Sequence, residues 1–250
     1  MRSAIQLYTL RDLDDTLPEL LERVGETEFE GVEFAGLGDS NPDEIRGTLD
    51  DTGLDAAAAH VGIEDLEADL DGVVEAYRTL GCDRIVVPYL DETHFASRQA
   101  VADTGRRLAE LDARLGDHGV RFGYHNHDHE FTDLGGEDGG QANSGGESAF
   151  DQLADETDID LELDVGWATA AGRNPVELLD HLRGRVPLVH LKDVAGTTPV
   201  ELGEGDLEIE ECVRAASEAG TEWLVYEHDE PTDAEESLRH GAETLAELLS

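Results

Sequence analysis

Short apolar runs alternate with longer amphipathic segments about eight times along the chain. The short runs have the length and composition of buried strands, whereas the longer segments repeat apolar residues every three or four positions, as helices do. The pattern therefore predicts eight strand–helix units. The predicted strands cover residues 4–8, 31–34, 55–60, 84–88, 120–125, 159–164, 187–191 and 223–227.

The segments between these strands are rich in Glu, Ala, Leu and Arg and predict helices. These helices cover residues 17–26, 42–52, 63–80, 97–117, 148–156, 175–183, 209–219 and 234–249. Two of them begin at Asn-Pro pairs, Asn41-Pro42 and Asn174-Pro175, which are typical of an N-cap followed by proline at the first helical position. Eight such units predict an α/β fold, a single (β/α)8 barrel with residues 1–250 in one domain.

One segment, residues 134–147, breaks this rhythm because it is rich in glycine and acid and has no apolar period. It follows the fifth strand, and loops after strands form the active face of a barrel of this kind. We interpret it as a loop, either a mobile lid over the site or a tolerated insertion without a role.

The composition adds an unusual surface charge. Sixty acidic residues against 17 basic ones give a formal net charge of -43, spread along the chain. Such a charge repels itself in dilute buffer and is screened within a few ångströms at molar salt, so we interpret it as adaptation to a salty cytoplasm, a halophilic trait. The same charge argues against nucleic acid as a partner.

Cysteine content and hydropathy predict the cellular location of the protein. The chain has two cysteines, Cys82 and Cys212, no charged-then-apolar leader, and no apolar stretch near the roughly 20 residues that a membrane helix needs. These features predict a cytoplasmic protein without disulfides and without a membrane partner.

Three histidines follow the fifth predicted strand. If that strand continued, alternation would place His125, His127 and His129 on one face, where imidazoles invite a metal ion. The alternative is a polar loop with surplus histidines.

Acidic and imidazole side chains also stand at the ends of the other predicted strands, which a barrel brings together. Lys192 is the only lysine in the chain and lies beside one of these histidines, which favours a functional role for it. The strand-end residues are Gln6, Glu33, His60, His125, His127, Glu130, Asp164, His190, Lys192, Glu227 and His228.

A set of Glu, Asp, His and Glu suits a divalent metal, Mn²⁺, Mg²⁺ or Co²⁺, and tolerates Zn²⁺. Such an ion holds sugar oxygens and polarises a carbonyl, so that a carboxylate can remove the neighbouring proton while the metal stabilises the enediolate. For Asp164 and Glu227 the alternative is an ion pair or a helix cap, although both follow continuous apolar strands.

Five motifs, in order, resemble the sugar phosphate isomerase/epimerase family, within the xylose isomerase-like TIM barrels. They are Gln6-Leu7-Tyr8-Thr9-Leu10-Arg11-Asp12, Gly31-Val32-Glu33, Tyr124-His125-Asn126-His127 through Glu130-Phe131, Leu163-Asp164-Val165-Gly166-Trp167, and His190-Leu191-Lys192-Asp193, with Glu227 in the last strand. The resemblance covers nearly the whole chain.

The resemblance implies a divalent metal held from strands five to eight by Glu130, Asp164, His190 and Glu227, with His125 or His127 as alternatives for the first ligand. It implies catalytic roles for Glu130, Glu227 and Lys192. The implied substrate contacts are Gln6, Glu33, His60, His125, His127 and Trp167.

The implied activity is that of a metal-dependent sugar isomerase or epimerase, with a small-molecule sugar as the partner. A lyase of the inosose-dehydratase or 3-keto-glycoside type, a 3-keto-glycoside hydrolase and a non-catalytic sugar-binding barrel remain open, as does assembly into a homo-oligomer. No basic loops or extra metal ligands of the endonuclease IV type are found in the sequence.

Overall fold

Eight parallel strands close into a barrel in the computed structural model, which describes residues 1–135 and 147–250. Neighbours in the barrel are neighbours in the chain, except that a separate two-stranded hairpin, β8 and β9, precedes the last barrel strand. The predicted (β/α)8 barrel is therefore confirmed. The strands are β1 (Arg2–Gln6), β2 (Gly31–Phe34), β3 (Asp55–His60), β4 (Arg84–Val87), β5 (Arg121–His125), β6 (Asp160–Asp164), β7 (Leu188–Leu191), β8 (Asp193–Ala195), β9 (Thr198–Val200) and β10 (Trp223–Tyr226).

The helices pack outside the barrel and bury their apolar faces against it. Amphipathic spacing sets those faces: Leu66, Leu70, Val74 and Tyr77 are the buried side of the third helix. The helices are α1 (Leu17–Gly25), α2 (Pro42–Thr52), α3 (Ile63–Leu80), α4 (Arg98–Asp117), α5 (Ala149–Glu156), α6 (Val165–Ala170), α7 (Pro175–His181), α8 (Ile209–Ala219) and α9 (Ala234–Leu248).

The first and fifth strands end differently from the simplest extension of their patterns. β1 stops at Gln6 because Leu7–Leu10 forms a 3₁₀ turn, in which the Gln6 side chain accepts a hydrogen bond from the Tyr8 amide. β5 stops at His125, and His129–Phe131 forms another 3₁₀ turn. The continuous strand that would align His125, His127 and His129 on one face is therefore not formed.

Two further elements, α6 and the β8–β9 hairpin, were not predicted. Each is too short to show the repeat of apolar positions by which helices and strands are recognised in a sequence. The hairpin and the loop after it are anchored by Asp193, whose buried carboxylate accepts hydrogen bonds from the amides of Gly203, Gly205 and Leu207 at 3.0, 3.0 and 3.1 Å. A Cβ atom at Gly205 would lie 2.2 Å from the Asp193 carboxylate, so this approach requires glycine. The hairpin begins at Asp193, directly after Lys192.

The predicted lid, residues 134–147, lies mostly outside the described residues, which leave out 136–146. Its two ends meet, because the Leu134 amide donates to the Glu147 carbonyl at 3.3 Å and Asp133 bridges to Ser148. In the described part of the chain, none of the helices combines the length and the apolar character needed to cross a bilayer.

The acidic surface leads to a prediction about salt. Lowering KCl from molar to about 0.1 M lengthens the screening distance from about 3 to about 10 Å, so repulsion within a chain of net charge -43 should destabilise the fold. We expect the melting temperature to fall progressively over this range in a calorimetric scan. Sucrose at matched water activity is the control, and a melting temperature independent of KCl would contradict the halophilic interpretation.

Candidate active site and metal centre

Four side chains converge at the carboxyl ends of β5, β6, β7 and β10. His125, Asp164, His190 and Glu227 each offer one ligand atom, and these atoms lie within 4.8 Å of one another. All four residues are buried, with relative exposures of 2, 0, 0 and 6%. We call this set the outer cluster. Its members come from four neighbouring strand ends, as the barrel topology dictates.

A second group lies deeper in the barrel and shares two histidines with the first. His60, His125, Glu162 and His190 also offer ligand atoms within 4.8 Å of one another, and we call this set the inner cluster. Glu162 Oε2 is its centre, at 2.6 Å from His60 Nε2, 3.1 Å from His125 Nδ1 and 3.3 Å from His190 Nε2. One carboxylate oxygen thus faces three imidazoles.

Glu162 follows from the strand geometry, although the sequence reading did not single it out. It stands two residues before Asp164 in β6, and alternation places both side chains inside the barrel. In the sequence, Glu162 lies inside the predicted apolar strand of residues 159–164, where it draws no attention. The signal that could have identified Glu162 was its spacing of two from a predicted ligand.

Glu33, in β2, contacts the inner cluster through His190. Its Oε2 atom lies 2.6 Å from His190 Nε2 and accepts a hydrogen bond from Gln6 Nε2 at 2.9 Å. Gln6 also contacts His60 Nδ1 at 3.2 Å. The predicted substrate residues Gln6, Glu33 and His60 therefore lie in one network with His190.

Lys192 lies among three carboxylates. Its ammonium is 2.9 Å from Asp164 Oδ2, 2.8 Å from Glu227 Oε2 and 2.7 Å from Asp229 Oδ2, and it stands 4.9 Å from the centre of the Trp167 ring. Asp229 is a second residue that the sequence reading missed. Since its carboxylate lies outside the outer cluster, it gives Lys192 a partner that is not a candidate metal ligand.

Burial and neighbouring charge set the protonation of these groups. Burial raises the pKa of Asp164 to about 6 and lowers the pKa of His125 to about 4. Burial would also raise the pKa of Glu227, but the charges of Lys192 and His190 outweigh it and hold that pKa well below its usual range. Burial would lower the pKa of Lys192, but the charges of Asp164, Glu227 and Asp229 outweigh it and raise that pKa. Glu227 is therefore a carboxylate at neutral pH, and Lys192 is an ammonium.

Glu33 differs from Glu227 although both are buried acids. Burial, and then the charge of Glu162, raise the pKa of Glu33 to about 7. The pKa of Glu162 shifts in the opposite direction. Burial would raise it, but the charges of His190 and His60 outweigh burial and lower it. Of the two carboxylates, Glu162 is therefore the one that carries the charge facing the histidines.

Glu130 lies apart from both clusters of the described residues. Its carboxylate accepts hydrogen bonds from the Tyr124 hydroxyl at 2.5 Å and the His127 amide at 2.9 Å. Alternation in β5 places Tyr124 on the face opposite to His125, which draws Glu130 away from the barrel interior. In this arrangement Glu130 holds the turn that presents His127.

His127 and Trp167 stand beside the outer cluster. The His127 ring lies 5.0 Å from the ring of His125 and 5.9 Å from that of Trp167. The Trp167 amide donates to Asp164 Oδ1 at 2.8 Å, so Asp164 also caps α6. The cap and the ion pair with Lys192 are the alternatives that the sequence left open for Asp164, and both are present alongside its place in the outer cluster.

The residues of the barrel mouth face a cavity of about 900 Å³. His60, His125, His127 and Glu227 line one end of it, together with Asp229. The other end extends over the side of α3. Each cluster therefore presents two of its residues to the cavity, His125 and Glu227 from the outer cluster and His60 and His125 from the inner cluster.

Comparisons with known proteins agree with this architecture. The sugar phosphate isomerase/epimerase of Parabacteroides distasonis is 18% identical, with a TM-score of 0.85 over 98% of both chains. The IOLI protein with a bound zinc atom is 16% identical, with a TM-score of 0.80 over 100% of this chain and 98% of that one. These likenesses show the fold.

Sequence comparison gives the family. The rhizopine catabolism protein MocC of Rhizobium meliloti is 25% identical over an alignment of 223 positions that covers 80% of this chain and 64% of that protein, so this chain spans somewhat less than two thirds of its relative. The family model of the xylose isomerase-like TIM barrel matches residues 21–248. The chain therefore belongs to the xylose isomerase-like TIM barrel family.

Proposed function

We propose that the protein is a divalent-metal-dependent sugar isomerase or epimerase that moves a proton between substrate carbons. The observation that carries this proposal is the convergence of the outer cluster within 4.8 Å at four neighbouring strand ends. The family and the zinc in the IOLI relative support it. Burying acids and imidazoles at the open end of a barrel costs free energy of folding, which a bound ligand can offset.

The outer cluster fits a metal ion in its chemistry. Asp164 Oδ2 is buried without a hydrogen-bond partner in the described structure, although the Lys192 ammonium is close. Two carboxylates with two imidazoles suit Mn²⁺, Co²⁺ or Zn²⁺ better than Mg²⁺, which prefers oxygen ligands. When bound, the cation would polarise a substrate carbonyl and acidify the neighbouring C–H bond.

His125 takes the first ligand position in this proposal, in place of Glu130. Its Nε2 atom lies 3.9 Å from Asp164 Oδ2, while Glu130 is hydrogen-bonded to Tyr124 and to the His127 amide. Glu130 then acts as a positioning residue rather than as a base. This is the alternative that the motif left open.

Glu227 is the proposed base. Its carboxylate lines the cavity and is ionised at neutral pH because Lys192 and His190 lower its pKa. Lys192 keeps its proton, since its pKa is raised, and its ammonium lies within 2.9 Å of carboxylate oxygens of Asp164, Glu227 and Asp229, so in this proposal it orients Glu227 instead of removing a proton. Glu227 takes a proton from carbon and returns it to the neighbouring carbon on the same face, which gives isomerisation, whereas epimerisation would need a second group that delivers a proton to the opposite face.

The proposal is tested by incubating the enzyme, with metal and molar KCl, with aldoses, ketoses, inososes and 3-keto-glycosides in deuterated water. We expect deuterium to enter one sugar carbon, which mass spectrometry and NMR would locate, with the rest of the molecule retained. Loss of a hydroxyl or glycosyl group would instead identify the lyase or hydrolase alternative. Sugar binding without exchange or reaction would favour the non-catalytic barrel.

A further inference from the structure

The cavity continues well beyond the polar residues of the proposed active site. Its volume of about 900 Å³ is near the upper end of the roughly 300–1,000 Å³ range of small-molecule sites, which is more than a single sugar ring fills. The extension passes between the loop after β2 and the side of α3. We call this extension the α3 branch and define it by Leu37, Ala68, Gly72, Val73 and Ala76, all of which line the cavity.

Small residues make room for the α3 branch. Gly72 and Ala76 are spaced by four and so share one face of α3, and Ala68 lines the same cavity from the preceding turn. The helix is also interrupted here, because Asp69 has non-helical angles and its carboxylate accepts a hydrogen bond from the Gly72 amide at 3.1 Å. Leu37 and Val73 add apolar surface, whereas Asp65 and Asp69 are acidic groups in the same lining. The residues that define the branch are therefore apolar, and no lysine or arginine is among the lining residues of the cavity.

Two tyrosines flank the cavity. Tyr8 and Tyr89 are the large hydrophobic side chains that stay exposed in the described structure, at 44 and 53%, and both line this cavity. The Tyr89 ring is held edge-on by His127 and His129, at centroid distances of 5.1 and 5.5 Å. Aromatic faces held at the mouth of a cavity are suited to stack on a flat apolar or sugar surface.

From these features, and resting on the proposed function, we infer that the substrate is a substituted aldose or ketose, which keeps its carbonyl free and carries an apolar or aromatic group on one of its hydroxyl oxygens. The sugar ring lies at the end lined by His60, His125 and Glu227. The substituent lies in the α3 branch. Carboxylates in the branch, and the absence of a lysine or arginine among its lining residues, disfavour a phosphate there.

The test compares the methyl and phenyl ethers of the terminal hydroxyl of glucose, galactose, mannose and xylose, which leave the carbonyl free, by calorimetry in molar KCl. In at least one pair, the phenyl member should bind about tenfold tighter than the methyl member, because its ring buries apolar surface in the branch. Ala76→Trp fills the branch and should abolish that advantage while leaving the affinity for the methyl ether unchanged. Ala68→Trp is the second variant, should Ala76→Trp fail to fold.

The matched control is Ala113→Trp, the same change at an exposed position of α4 outside the cavity lining. It should retain the full difference within the pair. Equal affinities, or no binding, in all pairs would overturn the inference, and so would an advantage that persists in both branch variants. Failure of the proposed function is seen separately, as absent proton exchange and absent metal binding while the phenyl preference persists.

Discussion

Replacing Glu227 with glutamine is expected to lower turnover by roughly 10²-fold or more, the usual scale for a positioned base. Glutamine keeps the size of the side chain and one oxygen that can bind a metal, but it cannot accept the substrate proton. Because proton transfer is felt in the transition state, sugar affinity should change far less than turnover. Steady-state kinetics with a substrate found in the exchange panel give both numbers.

The metal content of Glu227→Gln has to be measured in the same preparation, since Glu227 is also a proposed ligand. Glu201→Gln is the matched control, because Glu201 follows the hairpin and contacts Tyr226 and His228 rather than the outer cluster. Its turnover should be close to that of the wild type. A metal-loaded Glu227→Gln enzyme that exchanges deuterium and turns over normally would remove Glu227 from the role of base.

Replacing Glu162 with glutamine should weaken metal binding by about 10–100-fold, although Glu162 is not proposed to contact the metal. An ionised carboxylate only accepts hydrogen bonds, so it holds N–H groups on His125 Nδ1 and His190 Nε2. With a metal bound, the opposite ring nitrogens, His125 Nε2 and His190 Nδ1, would then present their lone pairs to the ion. An amide presents its own N–H groups at the same place and removes that preference.

Two readouts separate this positioning role from a general loss of stability. Cobalt affinity of the chelator-treated protein should fall, and ¹⁵N shifts of the histidine rings should show a change in which nitrogen carries the proton. Asp160→Asn is the matched control, two residues earlier on the same face of β6. Unchanged cobalt affinity and unchanged histidine shifts in Glu162→Gln would exclude the positioning role.

The fold was predictable because the pattern of apolar positions and the residues at helix ends indicate the same elements. Apolar runs and amphipathic segments alternate through the chain, and glycine or Asn-Pro pairs stand at helix ends such as Gly53 and Asn41-Pro42. The short α6 and the β8–β9 hairpin escaped because a three-residue strand has too few positions to show a period.

The site was predictable only in part. Asp164, His190 and Glu227 lie at the carboxyl ends of barrel strands, so their positions in the chain are enough to bring them together. Glu130 could not be placed in this way because it follows the strand in a turn, where the Tyr124 hydroxyl and the His127 amide decide its direction. Lys192 was recognised as unusual, but its three carboxylate partners depend on side-chain directions that no motif encodes.

The most direct test of the account is a cobalt titration of chelator-treated protein, followed by visible absorption. The wild type should bind about one ion per chain, and Asp164→Asn and His125→Ala should lose it, since both supply ligands in the proposed centre. Glu130→Gln, the matched carboxylate change outside the outer cluster, should bind like the wild type. A Glu130→Gln protein that loses the ion while His125→Ala keeps it would contradict the assignment of the centre to His125, Asp164, His190 and Glu227.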